Sequence, residues 1–209
     1  MKKPIFLMMA VAMGFASCLK APNLDQLSGD FVVSTSLDKT ANFGDYKTYY
    51  VSDTVANLGG SGSDTIFFDA NAQQLVNAVK TNMNARGYTY MQNTFLNHPD
   101  LAIRLGVVKV TTTVFYPGWW YGYPGWWYPP YYGGWYPYYY PFSTYYQYST
   151  GTVILDTYDV KNASVTHKFQ VVWNCTSFGA IGSSTSTNFT RGVNGINQGY
   201  AQSPYFKTN

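Results

Sequence analysis

Cys18 is the first residue whose type and setting point to chemistry. Lys2 and Lys3 make a basic start, Ile5–Phe15 an apolar run, and Ala16-Ser17 a small-residue pair directly before the cysteine. This order is that of a secretory signal, and a cysteine at the cleavage point predicts a bacterial lipobox, in which the thiol is acylated and becomes the new N-terminus. Phe15 stands where Leu is usual in that motif, and a cleaved soluble protein with an incidental cysteine is the alternative. Residues 1–17 are thus expected to be signal peptide, and residues 18–29 the lipidated cysteine with a polar tether. No Asp follows Cys18 in the position that retains some lipoproteins at the inner membrane, and no acidic run marks export to the surface. The expected place is the bacterial outer membrane, lipid-anchored and facing the periplasm, with surface exposure as the alternative.

The remaining candidates for chemistry are few. Asp156 and Asp159 could be read as the carboxylate pair of a glycoside hydrolase, which must flank one bond. Three residues apart in an extended segment they fall on opposite faces, and Asp159 is expected to cap a turn. His98 and His167 are the two histidines, one before Pro99-Asp100 in a turn and the other expected on a strand. With no Cys or Glu placed to help them, they do not suggest a metal centre, which needs about three protein ligands. Cys175 beside Trp173 reads as a partly buried small residue rather than a nucleophile. No phosphate-loop, nucleophile-elbow or dinucleotide pattern occurs. No catalytic residue, metal or cofactor is expected.

The richest stretch is Tyr116–Tyr148. It holds 19 of the chain's 40 aromatic residues, with six prolines and five glycines, so its rings cannot all lie on one helix or strand. YPGWW occurs at 116–120 and again at 123–127. Trp119, Trp120, Trp126, Trp127 and Trp135 could stack on sugar rings, which makes a glycan-binding module for peptidoglycan or exopolysaccharide one reading. Contact with lipid or protein is another, and a low-complexity hairpin tip without a specific ligand is the plain alternative. Stacking on nucleic acid needs a basic groove. No charged residue lies between Lys109 and Asp156, so nucleic acid is not an expected partner.

These residues need a scaffold. Without Lys2 and Lys3 the chain keeps 11 Lys/Arg against 10 Asp and no Glu, which offers no field to steer a polyanion. Residues 30–209 read as a single domain. Alternation predicts strands over 31–37, 46–50, 101–115, 149–160 and 166–178, with a brief one at 88–91. A phase change at Gly106 predicts a β-bulge there. Ser52–Asp64 reads as a flexible loop and Asp159–Ser164 as a polar turn. Phe169, Val171 and Trp173 are expected to share one strand face. Phe68–Arg86 has helical spacing of Leu75, Val76, Val79 and Met83, with Asp64 or Asp69 to cap it and Gly87 to end it. Residues 188–201 read as a second helix, weakened by Gly192, Gly195 and Gly199. The expected class is α+β, a mostly antiparallel sheet of five or six strands with two helices packed against it, and the aromatic insertion 116–148 between two strands.

The succession FGDYKTYYV (43–51), RGY (86–88), HPDLAI (98–103), GTVILDTYDVKN (151–162), QVVW (170–173) and QSPYF (202–206) resembles domain of unknown function 4136, a family of bacterial envelope lipoproteins. Asn174 departs from a usual basic residue, and the family's Trp after the YKTY segment is absent. The resemblance implies a compact α+β domain in the cell envelope, often with a Tyr/Gly/Pro-rich insertion at this place, and supplies no catalytic residues. The expectation is a non-enzymatic envelope lipoprotein with a structural or binding role.

Overall fold

The computed structural model describes residues 32–58, 66–67, 69–92, 98–108, 112–115, 136–142, 146–148, 151–179 and 185–209. Cys18, Trp119, Trp120, Trp126, Trp127 and Trp135 lie outside them.

Strands β1 (Val32–Leu37), β2 (Thr48–Val51), β3 (Val55–Leu58) and β4 (Ile66–Phe67) precede helix α1 (Ala70–Ala85). Then come β5 (Thr89–Tyr90), β6 (Leu101–Val108), β7 (Thr112–Phe115), β8 (Tyr138–Tyr139), β9 (Tyr146–Tyr148), β10 (Thr152–Asp159), helix α2 (Ala163–Thr166), β11 (Phe169–Phe178) and helix α3 (Thr185–Ala201). The main sheet runs β1-β11-β10-β6-β2-β5, with β3 also on β6, β4 on β3, and β8 on β11. β7 and β9 form a separate antiparallel ribbon.

The α+β class therefore stands, but the sheet is mixed and larger than expected: among the described residues it has nine strands, and three helices rather than two accompany it. β10 is antiparallel to β6 and β11, and β1 to β11, whereas β2 and β3 run parallel to β6. Parallel neighbours require a crossover, and α1 provides it. Part of the expected loop at 52–64 is strand β3, so that β2 and β3 follow one another along β6 with a break at Ser52–Thr54. The break is used: the Asp53 carbonyl accepts from Gln73 Nε2 at 2.7 Å, and its carboxylate pairs with Lys80 at 3.2 Å, both on α1.

α1 forms where its apolar spacing places it. Asp69 is its N-cap, accepting from the Ala72 amide at 2.8 Å, and Gly87 follows at φ +86°, a conformation that suits glycine. Its buried stripe of Leu75, Val76, Val79 and Met83 packs on Leu101, Ile103, Leu105, Val107, Val153 and Leu155. No bulge interrupts Gly106, which pairs in register with Ile154. β6 is buried on both faces, so alternation along it carries no phase to change. The bulge lies instead between Thr157 and Tyr158, opposite Val172. It returns Phe169 and Val171 to the far face while Trp173 and Cys175 stay in the main core, which corrects the single face expected for these side chains.

α3 packs against α1 and the sheet, with Ile196 and Tyr200 fully buried. A Cβ added to Gly199 would come 2.2 Å from Cys175 Sγ, so this glycine is what allows the helix its approach to β11. The C-terminal segment closes the core. Phe206 is fully buried against Trp173, Tyr200, Phe43 and Tyr88, and Trp173 Nε1 donates to Ser203 Oγ at 3.0 Å.

Candidate functional site

Away from α1 and α3, the far face of the sheet carries the polar side chains. Arg104, Asp156 and Asn174 occupy one rung across β6, β10 and β11, each in direct register with the next. All three are buried. Asn174 Nδ2 donates to Asp156 Oδ1 at 2.7 Å and to the Leu155 carbonyl at 3.2 Å, and Thr176 Oγ1 donates to Asn174 Oδ1 at 3.3 Å. A bare rung of this kind would be costly, since a charge taken from water must recover its lost hydration from partners.

The cover comes from the aromatic insertion. Residues 136–142 lie against this face, with β8 pairing in parallel to β11 and the Phe169 amide donating to the Pro137 carbonyl at 2.9 Å. Extended backbone sends alternate side chains to opposite sides, so Tyr138 and Tyr140 point inward and Tyr139 outward. Arg104 Nη2 donates to the Tyr138 hydroxyl at 2.9 Å, and the guanidinium carbon sits 4.8 Å and 5.0 Å from the Tyr138 and Tyr158 ring centres. Tyr140 donates to Asp156 Oδ2 at 2.8 Å, and Tyr158 to the same oxygen at 3.2 Å. Tyr136, Tyr138, Tyr140 and Phe142 complete a second apolar cluster with Tyr158, Ala163, Phe169 and Val171. Burial pulls the Arg104 guanidinium down to about 10, against the opposing pull of Tyr158, Tyr138, Tyr140 and Asp156, and it remains charged at neutral pH. Burial drives the Tyr158 hydroxyl well up, with Asp156 adding to the effect, so it stays a donor.

The end of the insertion is thus part of the fold, which corrects the picture of 116–148 as a single displayed loop. Composition did not separate 136–142 from the rest, since Pro and Tyr run throughout. The signal for its partners was present: Arg104 is the one charge in LAIRLGVV, and polar residues interrupt VILDTYD and VVWNC at the same register.

The other candidates separate. Asp159 faces the opposite side from Asp156, accepting from Tyr46 OH at 3.0 Å and from the Asn162 amide and Nδ2 at 3.0 Å and 2.6 Å. The two carboxylates cannot flank one glycosidic bond, and Asp159 caps the turn into α2. Beside it lies a polar cleft of about 190 Å³ lined by Asp38, Thr40, Asn42, Asp45, Tyr46 and Asn162 among others. Asp38 is already engaged by Thr40 and by Gln170 Nε2. His167 ends α2 in the left-handed region, φ 51°, and is not on the strand expected for it; its ring is edge-on to Tyr136 at 5.4 Å. His98 precedes β6 and is exposed. Cys175 is fully rather than partly buried, and burial pushes its thiol up to about 12. Among the described residues no group of three or more His, Cys, Asp or Glu is placed to hold a metal, and no helix is long and apolar enough to cross a membrane.

The family model for domain of unknown function 4136 (DUF4136) matches residues 33–205. The chain belongs to the DUF4136 family. The crystal structure of a DUF4136 family protein from Bacteroides thetaiotaomicron VPI-5482 is 32% identical, with a TM-score of 0.72 over 86% of this chain and 99% of that one. The PelC dodecamer from Paraburkholderia phytofirmans is matched at 12% identity and a TM-score of 0.40, over 86% of this chain and 99% of that chain. No curated protein matches the chain. In this DUF4136 domain the match runs from Val33 in β1 to Tyr205, so the Arg104–Asp156–Asn174 rung and its tyrosine cover lie inside it.

Proposed function

We propose that this DUF4136 protein is a non-enzymatic envelope lipoprotein, acylated at Cys18 and held at the periplasmic face of the outer membrane, whose domain presents the aromatic tract to a partner. One observation supports the presenting role above the others. The returning arm of the tract is fastened to two buried charges, Tyr138 on Arg104 and Tyr140 on Asp156, and an insertion serving only as slack would need no such fastening. Partner contact by exposed aromatics has a physical basis, because Tyr and Trp offer apolar faces with a polar handle. Envelope glycan is the preferred partner class, through Trp119, Trp120, Trp126, Trp127 and Trp135. The spacing of the first four, in two YPGWW copies, suits a linear polymer of repeating rings.

The test is retention on peptidoglycan and on exopolysaccharide by the wild type and by a chain lacking 117–135, which leaves the fastened arm in place. Loss of retention on deletion supports the reading, and equal retention overturns it. Metabolic labelling with a clickable palmitate should mark the wild type and not Cys18→Ala. Label on both proteins would remove the anchor from the proposal.

A further inference from the structure

The fastened arm fixes one aromatic ring outward. With Tyr138 and Tyr140 locked on Arg104 and Asp156, Tyr139 has to face solvent, and it is 46% exposed. Its backbone is held as well, since Tyr139 pairs with Gln170 on β11 and the Phe169 amide is bonded to Pro137. Beside it stands Lys168, whose Nζ lies 4.1 Å from the Tyr139 ring centre. Lys168 is held at its backbone by Thr166 Oγ1, which donates to its carbonyl at 3.2 Å. Among the described residues the one ion pair is Lys80–Asp53, so no carboxylate there neutralises this ammonium.

An ammonium held over the ring of an exposed tyrosine, with no carboxylate partner among the described residues, matches one ligand chemistry, a sugar ring that carries a carboxylate. The C–H face of the ring stacks on the tyrosine, as apolar surfaces do on aromatic faces, while the carboxylate takes the ammonium from its cation–π contact. The adjoining tract has no charge of its own between Lys109 and Asp156, so an acidic polymer meets no repulsion along it. We propose that Tyr139 and Lys168 form a subsite for an acidic saccharide, at the point where the aromatic tract joins the domain. This rests on the glycan reading above and names its ligand class.

The test uses the full-length protein and immobilised oligogalacturonate, with a neutral oligoglucan and polyglutamate as comparisons. Wild type is expected to bind the uronate best, and Lys168→Ala and Tyr139→Ala each to weaken it by at least about threefold, the size of an exposed charge contact. Binding of the neutral glucan should be unchanged in Lys168→Ala. Equal binding of polyglutamate by wild type would assign the contact to charge alone and overturn the subsite. Uronate binding unaltered by Lys168→Ala, yet lost on deleting 117–135, would overturn the subsite and leave the tract reading standing. No binding of any saccharide by wild type would overturn both. Lys168 and Tyr139 are surface side chains, and matching thermal melts keep the comparison free of unfolding.

Discussion

Tyr140 donates its hydroxyl to Asp156 at 2.8 Å, and the carboxylate it reaches stands directly opposite Arg104 on the next strand. A residue of the aromatic insertion thereby completes the hydrogen bonding of a buried acid in the middle of the sheet. Removing that hydroxyl takes one donor from Asp156 Oδ2, which also accepts from Tyr158. Tyr140→Phe should cost about 1–3 kcal/mol, the penalty for a buried polar group deprived of a partner. Tyr139→Phe, which changes an exposed ring, should stay within about 0.5 kcal/mol. Urea midpoints of the two variants check the contrast, and equal midpoints would contradict the role given to the arm.

Deletions should divide at the same place. A chain lacking 117–135 keeps Tyr136, Tyr138, Tyr140 and Phe142 on the second cluster, and is expected to unfold cooperatively near the wild-type midpoint. A chain lacking 116–148 uncovers Arg104 and Asp156 and should lose several kcal/mol, given that breaking a buried charged network costs about 3–5 kcal/mol. Near-identical melts for the two deletions would show that the arm adds nothing.

Gly199→Ala places a methyl group where Cys175 Sγ already stands. Overpacking of this kind costs about 1–3 kcal/mol. Cys175→Ala in the same chain should recover part of the loss, because neighbours sharing one space are not additive. Additive penalties in a double-mutant cycle would argue against direct contact.

Alkaline stability should follow Cys175 and Tyr49. Burial raises the thiol from its ordinary 9.0 to about 12, and burial with Tyr90 raises the Tyr49 hydroxyl from 10.0 to about 12. Above pH 9 the unfolded chain releases these protons and the folded chain keeps them. Unfolded molecules then bind fewer protons, and stability falls as pH rises, by up to about 1.4 kcal/mol per unit for each group. The loss runs from pH 9 to about 12 for the thiol and from 10 to about 12 for the hydroxyl. Cys175→Ala should have a shallower slope from pH 9 upward in denaturant titrations, and an unchanged slope would refute the assignment. The native thiol should also resist alkylation at neutral pH.

Phe206→Ala tests the closing segment. Its ring is fully buried among Trp173, Tyr200, Phe43 and Tyr88, and such a truncation costs about 3–5 kcal/mol. A midpoint shift under 1 kcal/mol would show that the C-terminal turn is only laid on the core.

The elements that are legible in the sequence are those with one buried face. α1 announces itself through Leu75, Val76, Val79 and Met83, and its cap through Asp69. β1 alternates as an edge strand does, whereas β10, buried along its whole length, shows through its β-branched and aromatic residues. β6 is buried on both sides, so its apolar run carries no phase, and Gly106 could be mistaken for a bulge. β3 is four residues long and sits in a stretch rich in Gly and Ser, where turn chemistry dominates the reading. Parallel pairing leaves no local mark, since β2 meets β6 about fifty residues later in the chain. At the candidate site Asp156 is visible but its partners are not, because a rung joins residues that are distant in sequence. Tyr138 and Tyr140 differ from neighbouring tyrosines only in where Arg104 and Asp156 await them.

That fastening has a consequence for how such a chain can vary. β7 ends where the tract begins, and Tyr138 with Tyr140 hold the arm on which it returns, so the 20 residues of 116–135 lie between two described segments. Loop-closure entropy grows slowly with length, by about 0.6 kcal/mol for each doubling. Another YPGWW unit could be gained or lost by slippage with little penalty to the domain, and repeat number becomes a quantity that selection can tune separately from the fold.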